Sequence, residues 1–260
     1  MRDALHTDAL SRSSIWRLRP DVDRKPHKRA SWLHSPDEDC AAKAPTICPL
    51  EAQALDSYPQ GRRVICGDAK TGLHVLARTA PTNPAQPGRR ARRAHASLRH
   101  GTRVLIHSLA VATGQRAWTI GRTRTATACV AHLHQAYHRL PRMTRYAWGL
   151  DNFNTHWSLD VCRGGARWCT GPLAPQKRQK GPQRRTFWRD PSHRPVLHCP
   201  PQHGSWLTQA AWFFGVLPRR LLARGSCPSA KDCARRLERF VKDDNARHAH
   251  PSRWTSTGEP

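Results

Sequence analysis

The sequence predicts a mixed α/β fold, and three observations carry that prediction. Apolar runs of strand length (Val64 to Cys66, Val104 to Val111, Tyr146 to Leu150 and Val196 to Cys199) alternate with longer stretches of helical spacing. Two of these runs lead directly into an aspartate, Asp68 and Asp151. Between Ala69 and Leu150 every other charge is Lys or Arg, with no Asp or Glu, so each acid outside that stretch stands out.

The elements follow in order. Residues 1 to 60 are polar and poor in periodicity, with one helical suggestion over Leu10 to Leu18 that Pro20 stops, and they read as a linker with a fragment. From Arg62 the pattern changes. Val64 to Cys66, Leu73 to Leu76 and Val104 to Val111, with Gly turns between them, predict an antiparallel trio. Ala80 to Arg99 is rich in Pro and Arg and reads as a surface loop. Cys129, Val130, Leu133, Ala136, Tyr137 and Leu140 are spaced for a helix over Thr125 to Leu140, closed by Pro141. Tyr146 to Leu150 is then a strand and Leu159 to Trp168 a helix. A basic insertion (Gly171 to Pro195), a strand (Val196 to Cys199) and helices over Trp206 to Leu222 and Ala230 to Asn245 complete the chain.

Charge narrows the partner. Among 260 residues, 44 Lys and Arg against 18 Asp and Glu leave a net charge of +26, which suits a polyanion. Two clusters concentrate it: Arg89, Arg90, Arg92, Arg93, Arg99 and Arg103, then Lys177, Arg178, Lys180, Arg184, Arg185 and Arg189. Both are expected to contact phosphates, and Trp188 and Trp206 are weighed as base-stacking or core residues. No apolar run approaches the roughly 20 residues of a membrane span, and nothing after Met1 resembles a secretory signal, so a cytoplasmic, non-membrane protein is expected. The nine Cys show no zinc-knuckle spacing and read as free thiols. Gly-rich phosphate loops, Rossmann glycines and nucleophile elbows are absent.

Carboxylates at the ends of neighbouring strands can hold divalent metals for phosphoryl transfer, or can simply begin turns. Between Ser57 and Lys231 the acids are Asp68, Asp151, Asp160 and Asp190. Their surroundings decide between the two readings. Cys66-Gly67-Asp68-Ala69-Lys70-Thr71-Gly72, Ala77-Arg78-Thr79-Ala80-Pro81-Thr82 and Arg99-His100-Gly101-Thr102 come first. Asp151-Asn152 with His156, His203-Gly204-Ser205-Trp206-Leu207 and the closing Asn245 with Trp254 follow in order. Over roughly residues 30 to 260 this series resembles the bacterial insertion-sequence transposases of the mariner superfamily, DDE endonucleases with an RNase H-like catalytic domain.

The resemblance implies an RNase H-like mixed sheet flanked by helices, with Asp68 as first catalytic acid and metal ligand and Asp151 as second. Hard carboxylate oxygens suit Mg²⁺, with Mn²⁺ as a substitute, and two such ions would serve an in-line displacement at phosphorus. The third acid of the family is missing. In Ser205-Trp206-Leu207-Thr208-Gln209-Ala210-Ala211, Ala211 stands at the Glu position and Thr208 replaces an Asn, leaving Asp160 and Asp190 as the nearest substitutes. Ala69 replaces the usual Glu beside the first Asp. Ser11 to Leu18, followed by Lys25-Pro26-His27, resembles the end of a helix-turn-helix reader, so the N-terminus is expected to be a truncated remnant.

The expected domains are therefore 1–60 (reader remnant and linker), 61–225 (catalytic domain) and 226–260 (C-terminal helix and tail). The expected activity is metal-dependent cleavage and transfer of DNA strands at transposon ends, impaired in this copy. The expected partners are double-stranded transposon-end and target DNA and a second copy of the chain in a synaptic complex in the bacterial nucleoid. A non-catalytic DNA-binding relic is the alternative, and a basic RNA-binding protein is the third class weighed.

Overall fold

Apolar residues on two faces of one sheet organise the molecule, seen in a computed structural model that describes residues 35–140, 144–150, 158–166, 181–202, 204–222 and 225–257. Helices α1 (Cys40–Ala52) and α2 (Ala54–Ser57) lead into β1 (Arg62–Arg78), β2 (Ser97–Ala110) and β3 (Arg116–Gly121). Then come α3 (Ala126–Arg139), β4 (Arg145–Leu150), α4 (Leu159–Ala166), α5 (Gly181–Arg189), β5 (Pro195–His198), α6 (Gln209–Leu217) and α7 (Ala230–His248). Residues 34–260 cluster as one compact unit.

The five strands lie in the order β3-β2-β1-β4-β5. β1, β2 and β3 pair antiparallel, whereas β4 runs parallel to β1 and β5 parallel to β4. Alternation along β1 sorts its neighbours. Ile65 joins Tyr146, Trp148 and Leu150 in a core closed by Cys129 and Leu133 of α3, Val161 and Cys162 of α4 and Trp188 of α5. Val64 and Cys66 point the other way, into a core with Leu109, Val111, Leu50 of α1 and Ala210 of α6. Farther along the same face, Phe213 of α6 and Leu237 and Val241 of α7 pack with Leu105 and Trp118.

Local chemistry fixes the helix starts. The Thr125 side chain accepts the Ala128 N–H at 3.2 Å, and the Ser229 side chain accepts the Asp232 N–H at 3.1 Å, each satisfying an amide that the first turn leaves open. Asp232 also pairs with Arg235 and Arg236 at 2.7 and 2.6 Å, one turn on.

Four expectations need correction. Leu73 to Leu76 is not a separate strand: β1 continues through it, with register shifts after Lys70 and His74 and a positive φ of 66° at Gly72. A bulge therefore does what was read as a turn, and the third antiparallel strand is β3. The stretch read as a linker carries α1, whose two prolines hid its spacing, and its Leu50 shares a core with Val64. The helix expected over Trp206 to Leu222 is a 3₁₀ turn (Ser205–Leu207), then α6, then a π-helical turn (Pro218–Leu222). The basic insertion contains α5. Asp151, Lys177, Arg178, Lys180 and the reader fragment lie outside the described residues. No helix among the described residues is long and apolar enough to cross a membrane.

Candidate active site

Asp68 lies on the central strand of the sheet, half-buried, with its Oδ1 accepting the Ala69 N–H at 2.6 Å. Two residues from Cys66, it shares that residue's face, the one covered by α1 and α6. β4 pairs with β1 as far as Leu150 opposite Gly67, and Asp151 follows in sequence, outside the described residues. Directly opposite Asp68 on β2 stands His107, fully buried, its ring stacked on Phe213 of α6 at 4.4 Å between centroids and 11° between planes. Burial, with Arg116 and His132 nearby, holds His107 well below the usual imidazole range, so it is neutral at physiological pH.

That stacking brings α6 across the face that carries Asp68. Phe214, the i+3 neighbour of Ala211, lies 5.8 Å beneath the Lys70 ammonium, and Lys70 is two residues from Asp68 on one strand. The flank of α6 bearing Ala211 and Phe214 thus borders the Asp68–Lys70 segment, with Ala211 half-exposed. Ala210 is fully buried against Val64, Cys66 and Ala147, so the helical step that rotates it away from Ala211 turns it into the core.

Asp160 and Asp190 belong to the other side of the sheet. Asp160 lies in the first turn of α4, and Asp190 follows α5, where its carboxylate accepts the Ser192 N–H at 2.9 Å. Both helices pack on the Ile65 face. An acid that does share the face of Asp68 is Glu51, 1% exposed on α1, which sequence reasoning missed. A signal was present: Ala44, Ile47, Cys48 and Glu51 are spaced i, i+3, i+4, i+7, placing a carboxylate on an apolar stripe. Glu51 Oε2 accepts the Gln209 N–H at 2.9 Å, at the first residue of α6.

The basic clusters sit on different elements. Arg89, Arg90, Arg92 and Arg93 are exposed on the loop between β1 and β2, which folds on itself through Asn83–Arg92 and Gln86–Arg89 bridges. Arg99 is exposed on β2, opposite Leu76, while Arg184 and Arg185 lie on α5. Of the two tryptophans weighed for base stacking, Trp188 is buried among α4, α5 and β4, and Trp206 packs against the cluster of Ala44, Ile47, Cys48 and Leu207. Eight cysteines among the described residues are free thiols.

For a metal, Asp68 offers one hard oxygen donor at the middle of the sheet, of the kind Mg²⁺ favours. Among the described residues no three His, Cys, Asp or Glu side chains converge to hold an ion.

No protein-family model and no curated protein matches the sequence. Solved structures do match. The chain is similar to the Mos1 mariner paired-end complex with Mn (13% identity, TM-score 0.54, 90% of this chain and 64% of that one). It is also similar to the Mos1 paired-end complex with Mg (14%, 0.53, 91% and 65%) and to the Mos1 strand transfer complex (14%, 0.55, 90% and 63%). The chain thus spans just under two thirds of the length of these transposase chains. At such identities the likeness is one of fold, a mixed sheet flanked by helices of the RNase H-like kind.

Proposed function

We propose that this chain is a mariner-type insertion-sequence transposase whose strand cleavage and transfer are impaired by loss of the third acid. The observation that carries the reading is the position of Asp68: a carboxylate at the centre of an RNase H-like sheet, on the face crossed by α6. Asp68 and Asp151 would hold Mg²⁺ or Mn²⁺. Bound there, the cation would activate the attacking oxygen and stabilise the leaving one. The Ala69 amide donates to the Asp68 carboxylate at 2.6 Å. Arg89, Arg90, Arg92, Arg93 and Arg99, with Lys177, Arg178, Lys180, Arg184 and Arg185, would bind the phosphates of transposon-end and target DNA.

The catalytic domain in this proposal spans 61–225, with residues 1–60 carrying a remnant of the DNA reader and 226–260 closing the fold. A second copy of the chain would complete a synaptic complex. The Mos1 structures, a paired-end complex with Mn or Mg and a strand transfer complex, support these partners and ions by analogy of fold.

The test is nicking of supercoiled plasmid by the purified chain with Mg²⁺ or Mn²⁺, beside Asp68→Asn, which should fold as the parent does. Metal-dependent nicking that disappears in Asp68→Asn supports a residual enzyme. DNA binding without nicking, together with metal binding that Asp68→Asn weakens, identifies a non-catalytic relic of that enzyme. Nicking unchanged by Asp68→Asn overturns the role of Asp68.

A further inference from the structure

We propose that the cavity on the flank of α6 remote from Ala211 binds an unpaired nucleotide of single-stranded DNA. The inference rests on the DNA-acting reading above and extends it to a site that needs neither metal nor the acids. The cavity holds about 650 Å³, within the roughly 300–1,000 Å³ usual for small-ligand sites. It is walled by α6, the turn between β2 and β3, the end of α7 and the tail through Thr255.

Two features define what it would accept. Its floor is apolar, built from Leu109, Val111, Phe213 and Val216, and beside that floor stands Trp212, 62% exposed, the most exposed large apolar side chain among the described residues. An indole left in water next to an apolar recess suits a flat aromatic ring. Its rim is cationic: Arg219, Arg220 and Arg253 are exposed. The single acid of the lining, Asp244, lies 2.8 Å from Arg116 and 3.9 Å from Arg220, which leaves the lining with an excess of positive charge. Arg116, more than nine-tenths buried in the wall, donates from Nη1 to Gly114 O at 3.1 Å.

A ring with an anionic group meets both demands, and a nucleotide is that combination. The base must be unpaired, because in a duplex both of its faces are covered by neighbouring pairs and cannot reach the indole. A second copy of this chain is disfavoured as occupant by the net charge of +26 on each. Ala211 and Phe214 occupy the other flank of α6, beside Lys70, so the cavity is separate from the acid site.

The experiment measures binding of the full chain to a labelled 12-nucleotide oligothymidylate and to a blunt duplex of the same length, for the parent, Trp212→Ala, Trp212→Phe and Arg219→Gln/Arg220→Gln. Trp212→Ala should weaken the single-strand affinity by about 5- to 150-fold, the range of one stacked base, and leave duplex affinity within about twofold. Trp212→Phe should keep most of the affinity, and the double Arg variant should lower it. Circular dichroism checks that the exposed substitution leaves the fold intact. Equal losses for single strand and duplex, or no loss for either, overturn the site. So does a poly(Glu,Tyr) peptide that binds the parent more tightly than the oligonucleotide and loses its affinity in Trp212→Ala, which would assign the cavity to an acidic protein partner. If duplex binding and nicking persist while Trp212→Ala is silent, only this inference falls. A parent that binds no DNA takes the transposase reading with it.

Discussion

Glu51 of α1 caps α6 from outside, its Oε2 accepting the Gln209 N–H at 2.9 Å. The residue placed to do this locally is otherwise occupied: the Thr208 hydroxyl donates back to Ser205 O at 2.9 Å and gives the helix no side-chain cap. The helix that crosses the Asp68 face is therefore started by a carboxyl group 158 positions earlier in the chain.

That carboxyl should make stability depend on pH. Burial, only partly offset by hydrogen bonds from Gln209 and Cys66, pushes Glu51 up to about 8 from an ordinary 4.5. Between those values the folded chain keeps a proton that the unfolded chain releases. Its stabilising effect is complete below about pH 4.5 and is lost as pH rises through 8. Glu51→Gln, which can still accept the Gln209 N–H, should match the parent near pH 4. It should exceed the parent at pH 8 by up to about 5 kcal/mol. Urea midpoints across that range test this, and a constant difference at all pH values would contradict it.

Binding to duplex DNA should be strongly salt-dependent. If about six phosphates are engaged, affinity should fall roughly a thousandfold between about 50 and 200 mM salt, and replacing Arg89, Arg90, Arg92 and Arg93 by Gln should flatten the log–log slope by roughly 3 to 4. Salt titrations of the two proteins measure this directly, and identical slopes would remove the loop from the interface.

Ala211→Glu should raise metal-dependent nicking above the parent, since its flank borders the Asp68–Lys70 segment. Ala211→Gln, of the same shape without the charge, is the control. Ala210→Glu would be a poor one, because it would bury an unpaired carboxylate against Cys66 and Ala147 and unfold the helix contact. Equal nicking by the Glu and Gln variants would exclude position 211 as a ligand site.

Trp188 should prove structural. Trp188→Ala should cost about 3 to 5 kcal/mol in denaturant unfolding while leaving the DNA affinity of the folded fraction unchanged. Gly165→Ala should be destabilising for the opposite reason, overpacking, as its Cβ would lie 2.0 Å from the Trp188 ring.

What the sequence made legible follows from where its signals were uncrowded. Asp68 could be found because no other acid occurs for many residues after it, and the Arg-rich loop because Pro and Arg cannot form a core. Glu51 was not found, since Pro45 and Pro49 interrupt the stripe on which it sits and suggest a coil. The length of β1 was equally hidden, because Gly72 looks like a turn in sequence whereas the sheet absorbs its positive φ within the register shift between Lys70 and Leu73. The direction of Ala210 depends on how α6 lies across the strands, which no local pattern encodes.

Asn245 has a consequence for the order in which the molecule can be built. β3 is an edge of the sheet, and at Arg116 the Asn245 side chain does what a further strand would do: Oδ1 accepts the backbone N–H at 2.9 Å and Nδ2 donates to the backbone carbonyl at 2.8 Å. The two residues are 129 positions apart, so a ribosome must synthesise through most of α7 before this end of the edge is blunted. Until then the nascent sheet offers open backbone groups to any neighbouring strand, and release truncated ahead of α7 should yield a sticky product rather than a smaller stable protein.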